Sequence, residues 1–130
     1  MSDCVTDTHA LYWYLTAGPS LGTEAKAAFL SGEQGQAIIY IPSIVIAELY
    51  YLNVKYGKPL DFAQEYQRLS GAGQFRFADF RATEVLRFDA LSAIPEMHDR
   101  IIAGVAYELG LPLLTCDPEI IGSKTVQTIW

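Results

Sequence analysis

Short runs of β-branched and aliphatic residues alternate along the chain with longer stretches whose apolar positions follow a helical spacing. Most of these runs are apolar at successive positions, which is typical of strands buried on both faces of a parallel sheet. The pattern predicts strands at residues 4–6, 37–41, 75–78, 111–116 and 125–130. It predicts helices at residues 8–16, 24–30, 44–56, 60–69, 83–91 and 98–109, the last ending at Gly110. Helices between strands favour one α/β domain, residues 1–130, around a mainly parallel sheet of about five strands.

The composition supports a folded domain. Of the 130 residues, 51% are hydrophobic and 18% are charged, which is enough apolar material for a core and excludes an intrinsically disordered chain. The formal net charge of −6 excludes a protein that coats nucleic acid through bulk positive charge. The lysines and arginines are concentrated between residues 49 and 89, a segment that contains six of them and five acidic residues. We expect RNA to be attracted by whatever part of this region faces a binding cleft.

Cysteine usage and hydropathy predict a reducing, cytoplasmic location. Cys4 and Cys116 are too few for a disulfide framework, and we expect both to be small core residues on neighbouring strands. The first residues lack the basic and apolar regions of a signal peptide. No stretch approaches the roughly 18–20 uninterrupted apolar residues of a membrane span, so no membrane partner is expected.

Four acids occupy positions where the local pattern does not favour a charge. Asp7 and Asp117 follow predicted strands, and in parallel sheets ligands bind beyond the carboxyl ends of the strands. Glu48 is the only polar residue in an apolar helical segment, so its carboxylate must be protonated, paired or metal-bound. Asp99 begins an otherwise apolar helix. Ser43 also follows a strand and is expected to cap the next helix.

Each of these acids alone has an ordinary structural explanation, as a loop acid, a helix cap or half of an ion pair. Together they place four carboxylates at strand ends or on helices that pack over those ends. Gathering like charges costs free energy unless a cation neutralises them, and ligands that are all oxygen suit Mg²⁺ or Mn²⁺. The joint pattern therefore favours a metal site made of Asp7, Glu48, Asp99 and Asp117.

Four short motifs in order carry a resemblance to a known family. They are residues 7–11 (DTHAL), 42–49 (PSIVIAEL), 98–103 (HDRIIA) and 114–117 (LTCD). In this order the chain resembles the PIN-domain ribonucleases, and within them the VapC-type toxins of toxin–antitoxin pairs. The resemblance implies a three-layer α/β/α fold and an endoribonuclease that depends on Mg²⁺ or Mn²⁺. It also implies an RNA substrate, a homodimer, and a small antitoxin partner that occupies the active-site groove.

The resemblance also implies roles for individual residues. Asp7, Glu48, Asp99 and Asp117 correspond to the catalytic, metal-binding acids, and Thr8 and Thr115 to polar supporting residues beside the first and the last. Many relatives carry an Asp-Pro pair shortly before the third acid, whereas this chain has residues 94–98 (IPEMH), in which Glu96 is a candidate auxiliary acid.

The roles of several residues stay open at this level. Arg100 is equally suited to contact a phosphate or to pair with an acid. His9 and His98 are expected on the helix surface. Tyr50, Tyr51 and Tyr56 offer aromatic surface for a stacked base or for a homodimer, and helical tyrosines favour dimer packing.

Other functions are compatible with an aspartate after the first strand. A haloacid-dehalogenase phosphatase needs a second acid two residues later, where this chain has His9. A receiver domain needs an acidic pair after the first strand, which is also missing. The remaining alternative is a catalytically silent protein with the PIN fold that binds RNA or a protein partner.

Overall fold

A computed structural model describes residues 3–130, which form one five-stranded sheet with helices between the strands. All strand pairs are parallel, and the strand order is β3-β2-β1-β4-β5. The strands are β1 Cys4–Thr6, β2 Ile39–Pro42, β3 Phe75–Ala78, β4 Leu113–Leu114 and β5 Thr128–Ile129. The helices are α1 Thr8–Leu15, α2 Thr23–Glu33, α3 Ser43–Lys55, α4 Phe62–Gly71, α5 Met97–Leu109 and α6 Pro118–Ser123, with a 3₁₀ helix at Ala82–Arg87. The predicted α/β fold class is confirmed.

Burial on both faces explains why the central strands are apolar at successive positions. Val5, Ile39, Ile41, Leu113 and Leu114 are all completely buried. Strands with this pattern can lie only in the middle of a layered structure, with helices covering each face. The hydrophobic core therefore lies along β1, β2 and β4, the strands that carry the predicted site residues at their ends.

Some predicted element boundaries are wrong for identifiable reasons. Helix α2 does not stop at residue 30, because Gly32 serves close packing: a Cβ there would lie 3.0 Å from Cδ1 of Ile39. The predicted helix at 83–91 is a short 3₁₀ helix followed by turns. Helix α6 was not predicted, although Asp117 and Pro118 form a standard helix start, with an acid as the cap and proline in the first turn.

The expected cap at Ser43 is also wrong. Ser43 is the first residue of α3, and its hydroxyl accepts a hydrogen bond of 3.1 Å from the backbone N–H of Phe80. This hydrogen bond therefore connects the segment after β3 to the start of α3. The predicted end of α5 is confirmed, since Gly110 adopts the left-handed conformation with φ of 65°.

The order of the strands places a crevice at the carboxyl ends of β1 and β4. From β1 the chain proceeds through β2 to β3 on one side of the sheet, and then crosses to β4 and β5 on the other side. The connections from β1 and β4 therefore leave in opposite directions, which opens a gap where ligands bind in such sheets. Asp7 follows β1 and Asp117 lies shortly after β4, at this gap.

The segment at Trp130 packs against the start of α2. The Trp130 carbonyl accepts a hydrogen bond of 3.2 Å from the N–H of Glu24, and a Cβ at Gly22 would lie 2.4 Å from the Trp130 carbonyl carbon. Only glycine allows this approach, which brings the centroid of the Trp130 ring to 5.8 Å from that of Trp13 on α1.

Within residues 3–130, none of the helices combines the length and the apolar character needed to cross a membrane.

Candidate active site

The four acids predicted from the sequence line one open cleft at the carboxyl edge of the sheet. The cleft encloses about 670 Å³, which is within the usual range for sites that bind a small ligand or a nucleotide-sized group. Its acidic lining residues are Asp7, Glu48, Asp99 and Asp117. Thus residues separated by more than a hundred positions in the chain share one cavity.

Asp7 is the most buried of the four acids. It follows β1 and caps α1, where its Oδ1 accepts a hydrogen bond of 2.9 Å from the N–H of Ala10. The side chain is nearly inaccessible to solvent, and this burial raises its pKa. Hydrogen bonds from Thr115 and Ala10 oppose the increase, while the charge of Asp117 adds to it. Asp7 and Asp117 are therefore close enough to repel each other.

Asp117 lies three residues after the neighbouring strand β4 and, like Asp7, caps the helix that follows its strand. It caps α6, where its Oδ1 accepts a hydrogen bond of 2.8 Å from the N–H of Glu119. Its own N–H donates to Oγ1 of Thr115 at 3.0 Å. Thr115 is completely buried, and its side chain also lowers the pKa of Asp7. The supporting role expected for Thr115 stays a prediction.

Glu48 is held by contacts at both carboxylate oxygens. Its Oε1 accepts a hydrogen bond of 2.6 Å from the hydroxyl of Thr8, on α1. Its Oε2 lies 3.1 Å from Nδ1 of His98, fifty residues away at the start of α5. Thr8 and His98 therefore hold the Glu48 carboxylate from two other helices. Thr8 follows Asp7 in the chain, but its hydroxyl donates to Glu48 instead, and its supporting role stays a prediction.

Asp99 lies in the first turn of α5, beside His98. Glu96 caps this helix and accepts a hydrogen bond of 2.8 Å from the N–H of Asp99. Burial raises the pKa of Asp99 to about 6, and the charges of Asp117, Glu96, Glu48 and Asp7 contribute to the increase. The pKa of Asp99 is therefore raised by repulsion from each of the other three acids of the cleft.

This shift predicts how the stability of the metal-free protein depends on pH. The pKa of Asp99 is about 6 in the folded chain and near its usual value of 3.8 in the unfolded chain. Between these pH values the folded state binds more protons, so raising the pH lowers the free energy of unfolding. We expect urea denaturation in EDTA to show that Asp99→Asn gains stability relative to wild type as the pH rises from 4 to 6.5. A constant difference between the two proteins over this range would contradict the prediction.

The structure places Arg100 and Cys116 differently from the sequence-based expectations. Arg100 pairs with no acid among the described residues: its guanidinium donates to the backbone carbonyls of Ile94 and Ser92. It lines a separate small cavity that contains none of the four acids. Cys4 is buried as predicted, but the core position predicted for Cys116 is wrong, because Cys116 follows β4 and is exposed at the cleft.

Most bases of the 49–89 region do not face the cleft. Arg68 pairs with Glu65 at 2.9 Å, and Arg87 bonds to Glu84 at 3.0 Å and to Glu108 at 2.9 Å. Among the residues lining the cleft that the structure describes, Lys55 is the only lysine or arginine. Of the basic residues in this region, only Lys55 is therefore placed to attract RNA into the cleft.

Several cleft residues were not recognised as such from the sequence. His98 was expected to be simply exposed, but it contacts Glu48. His9, Trp13 and Tyr51 also line the cleft. The spacing carried a usable signal, because Tyr51 and Lys55 lie three and seven positions after Glu48 and must share its face of a helix.

The donor set of the cleft fits a hard divalent cation. Four carboxylates supply only oxygen, and Mg²⁺ and Mn²⁺ prefer oxygen ligands. Among residues 3–130, however, no three His, Cys, Asp or Glu side chains stand close enough together to hold a metal ion as they are placed. The contacts with Thr8 and His98 fix the position of the Glu48 carboxylate in this arrangement. The metal site therefore stays a prediction.

Solved structures with the same fold extend over the whole chain. One is a chain of VapBC2 from Rickettsia felis, whose structure was solved with a DNA fragment from the VapBC2 promoter. It is 20% identical to this chain, with a TM-score of 0.68, and the match covers 99% of this chain and 98% of that one. FitAcB from Neisseria gonorrhoeae is 19% identical, with a TM-score of 0.67 and coverage of 100% and 97%. PAE2754 from Pyrobaculum aerophilum is 21% identical, with a TM-score of 0.60 and coverage of 98% and 83%. No curated protein matches the sequence.

A family model identifies the chain more directly. The model of the PIN domain matches residues 4–122, from the first strand to the last helix, and this range contains all four acids of the cleft. The chain therefore belongs to the PIN domain family, whose members are nucleases.

Proposed function

We propose that this protein is a divalent-metal-dependent endoribonuclease that acts as the toxin of a toxin–antitoxin pair. One observation carries the nuclease part: Asp7, Glu48, Asp99 and Asp117 line a single cleft at the switch point of the sheet, within the segment matched by the PIN domain model. Nothing in the described part of the cleft provides four positive charges to balance them, since Lys55 is its only lysine or arginine.

The four acids would hold Mg²⁺ or Mn²⁺ beside the scissile phosphate. When bound, such a cation lowers the pKa of a water molecule and shields charge that develops on the phosphate oxygens. The protein's own contribution is to fix the ligands: Thr8 and His98 orient Glu48, and the Thr115 hydroxyl accepts from the backbone N–H of Asp117. The caps of α1 and α6 fix Asp7 and Asp117 further, which reduces the reorganisation needed on binding.

A covalent mechanism through the cleft cysteine is not supported. Although Cys116 is exposed, partial desolvation in the cleft raises the pKa of its thiol, and the charges of Asp7 and Asp117 raise it further, so the thiolate is disfavoured. Water is therefore the attacking group that fits this site best.

The toxin assignment rests on likeness rather than on the cleft. The structural neighbours include VapBC2 and FitAcB, and the four sequence motifs resemble VapC-type toxins. From the resemblance to VapC-type toxins we infer a homodimer and a small antitoxin that occupies the active-site groove. A short reading frame for a DNA-binding-type protein immediately upstream would support the assignment.

Cleavage of RNA by the purified protein tests the nuclease activity. We expect a 5′-labelled RNA to be cut at internal positions in the presence of Mn²⁺ or Mg²⁺, and to remain intact in EDTA. RNA that is bound but uncut in Mn²⁺ would instead identify the catalytically silent binding protein. Cleavage that is equally fast in EDTA would exclude the metal-dependent mechanism.

A further inference from the structure

One face of helix α3 continues the cleft beyond the acids. Glu48, Tyr51, Leu52 and Lys55 all line the cleft, and they lie at positions i, i+3, i+4 and i+7 of the helix. With a rise of 1.5 Å per residue, Tyr51 lies about 5 Å and Lys55 about 10 Å along the helix from Glu48. An acid, an aromatic ring and a cation therefore follow one another in a row.

Tyr51 presents an aromatic ring to solvent at this place. It is 71% exposed, although most large apolar side chains near the sheet are buried. Its ring is held by an edge contact with Tyr50, at 5.3 Å between centroids, and Tyr50 packs in the same way against Phe62 at 5.4 Å. The Tyr51 ring therefore has one aromatic neighbour and leaves much of its surface uncovered.

Lys55 is available to bind an anion. It makes no ion pair with any residue that the structure describes, and its Nζ lies 5.6 Å from the centroid of the Tyr56 ring. In a cleft with four acids, a lone lysine on the far side from the predicted metal position attracts the negatively charged part of a ligand.

We propose that Tyr51 and Lys55 form a nucleotide subsite of the proposed ribonuclease, and the inference rests on that proposed function. The base of a nucleotide next to the cleaved phosphate stacks on Tyr51, and Lys55 binds the phosphate beyond it. Bases in a duplex have both faces covered by their neighbours, so stacking requires an unpaired base. The subsite therefore selects single-stranded RNA.

A second copy of the chain is the other occupant to consider, since dimer packing was the sequence-based expectation for these tyrosines. A copy seated on this face would bury Lys55 and cover the entrance to the acids. The row of carboxylates, ring and lysine complements a phosphate backbone with an unstacked base, which an apolar dimer face does not.

The test compares Tyr51→Ala with wild type on a labelled single-stranded RNA of 12 nucleotides in Mn²⁺. We expect kcat/KM to fall about tenfold, because base–aromatic stacking is lost. Tyr51→Phe keeps the ring and should retain activity near wild type. Tyr107→Ala is the matched control, since Tyr107 is an exposed tyrosine that does not line the cleft. We also expect the preference of wild type for this RNA over its duplex form to shrink in Tyr51→Ala.

Lys55→Gln gives an independent readout. Loss of one phosphate contact on a single strand should reduce the slope of log affinity against log salt by about 0.7, which a purely structural change would not do. Lys26→Gln, on the exposed surface of α2, serves as its control and should leave the slope unchanged.

The outcomes separate this inference from the proposed function. If wild type cuts RNA but Tyr51→Ala stays within twofold of Tyr107→Ala, the subsite is wrong and the nuclease stands. If wild type cuts no RNA, the proposed nuclease function is wrong. RNA binding by wild type and Tyr51→Ala, measured by fluorescence anisotropy in the same buffer, then tests the subsite directly. Absence of RNA binding overturns both. Conversion of a dimer to a monomer by Tyr51→Ala, with unchanged kcat/KM, would assign the face to a second copy.

Discussion

Replacing Asp7, Glu48, Asp99 or Asp117 by its amide is expected to reduce RNA cleavage at least about 100-fold and to leave the protein folded. A bound metal ion would contribute several kcal/mol to stabilising the transition state, and about 1.4 kcal/mol corresponds to a factor of ten in rate. We expect Asp7→Asn and Asp99→Asn to be the most severe and Asp117→Asn the mildest. The measurement is RNA cleavage beside urea denaturation for each variant.

The structure explains why the fold should survive these changes. Asn caps a helix as well as Asp does, so Asp7→Asn preserves the hydrogen bond from the N–H of Ala10. Gln at position 48 still accepts from Thr8. Because burial and neighbouring charges raise the pKa of Asp7 and Asp99, removing either charge should stabilise the metal-free protein.

The alternative explanation predicts the opposite result. If these acids were partners in buried salt bridges, amidation would leave a buried cation unpaired and destabilise the fold by about 3–5 kcal/mol. Asp89→Asn is a matched control, because Asp89 is exposed and lies outside the cleft. It should change neither cleavage nor stability.

Divalent metal is expected to raise the Tm of the wild-type protein by roughly 10 °C. A cation that binds only the folded state adds RT ln(1 + [L]/Kd), which is about 2.7 kcal/mol at 100 times Kd. For a chain of this size, about 1 kcal/mol shifts Tm by roughly 3–5 °C. The measurement is a pair of thermal melts at pH 7, one in EDTA and one in millimolar Mn²⁺.

The metal effect should depend on the acids of the cleft. Glu48→Gln is expected to shrink the difference between the two melts, whereas Asp89→Asn should retain it in full. A wild-type Tm that does not change in millimolar Mn²⁺ would contradict a metal site formed by these carboxylates.

The sequence was sufficient for the features that depend on local pattern and on the rule for parallel sheets. Buried apolar runs located β1, β2 and β4, and the rule that ligands bind beyond their carboxyl ends located Asp7 and Asp117. Glu48 was recognisable because a charge in an apolar helical segment must have a partner. Gly110 was recognisable because a left-handed residue ends a helix at low cost when it is glycine.

Features that depend on contacts between distant segments were not predictable in this way. The partner of Glu48 is His98, and no local pattern connects residues fifty positions apart. Arg100 lies next to Asp99 in sequence, but successive side chains on a helix point in different directions, so it lines another cavity. Cys116 was assigned to a strand because its segment is apolar, whereas β4 ends at Leu114 and leaves it exposed.

The central claim is that the acids of the cleft act together in cutting RNA, and cleavage by Asp7→Asn tests it most directly. Wild type and Asp7→Asn should be purified in parallel, shown free of contaminating nuclease, and incubated with the same labelled RNA in Mn²⁺. The account predicts that wild type cuts the RNA and that Asp7→Asn, still folded, leaves it intact. Full cleavage by Asp7→Asn would contradict it.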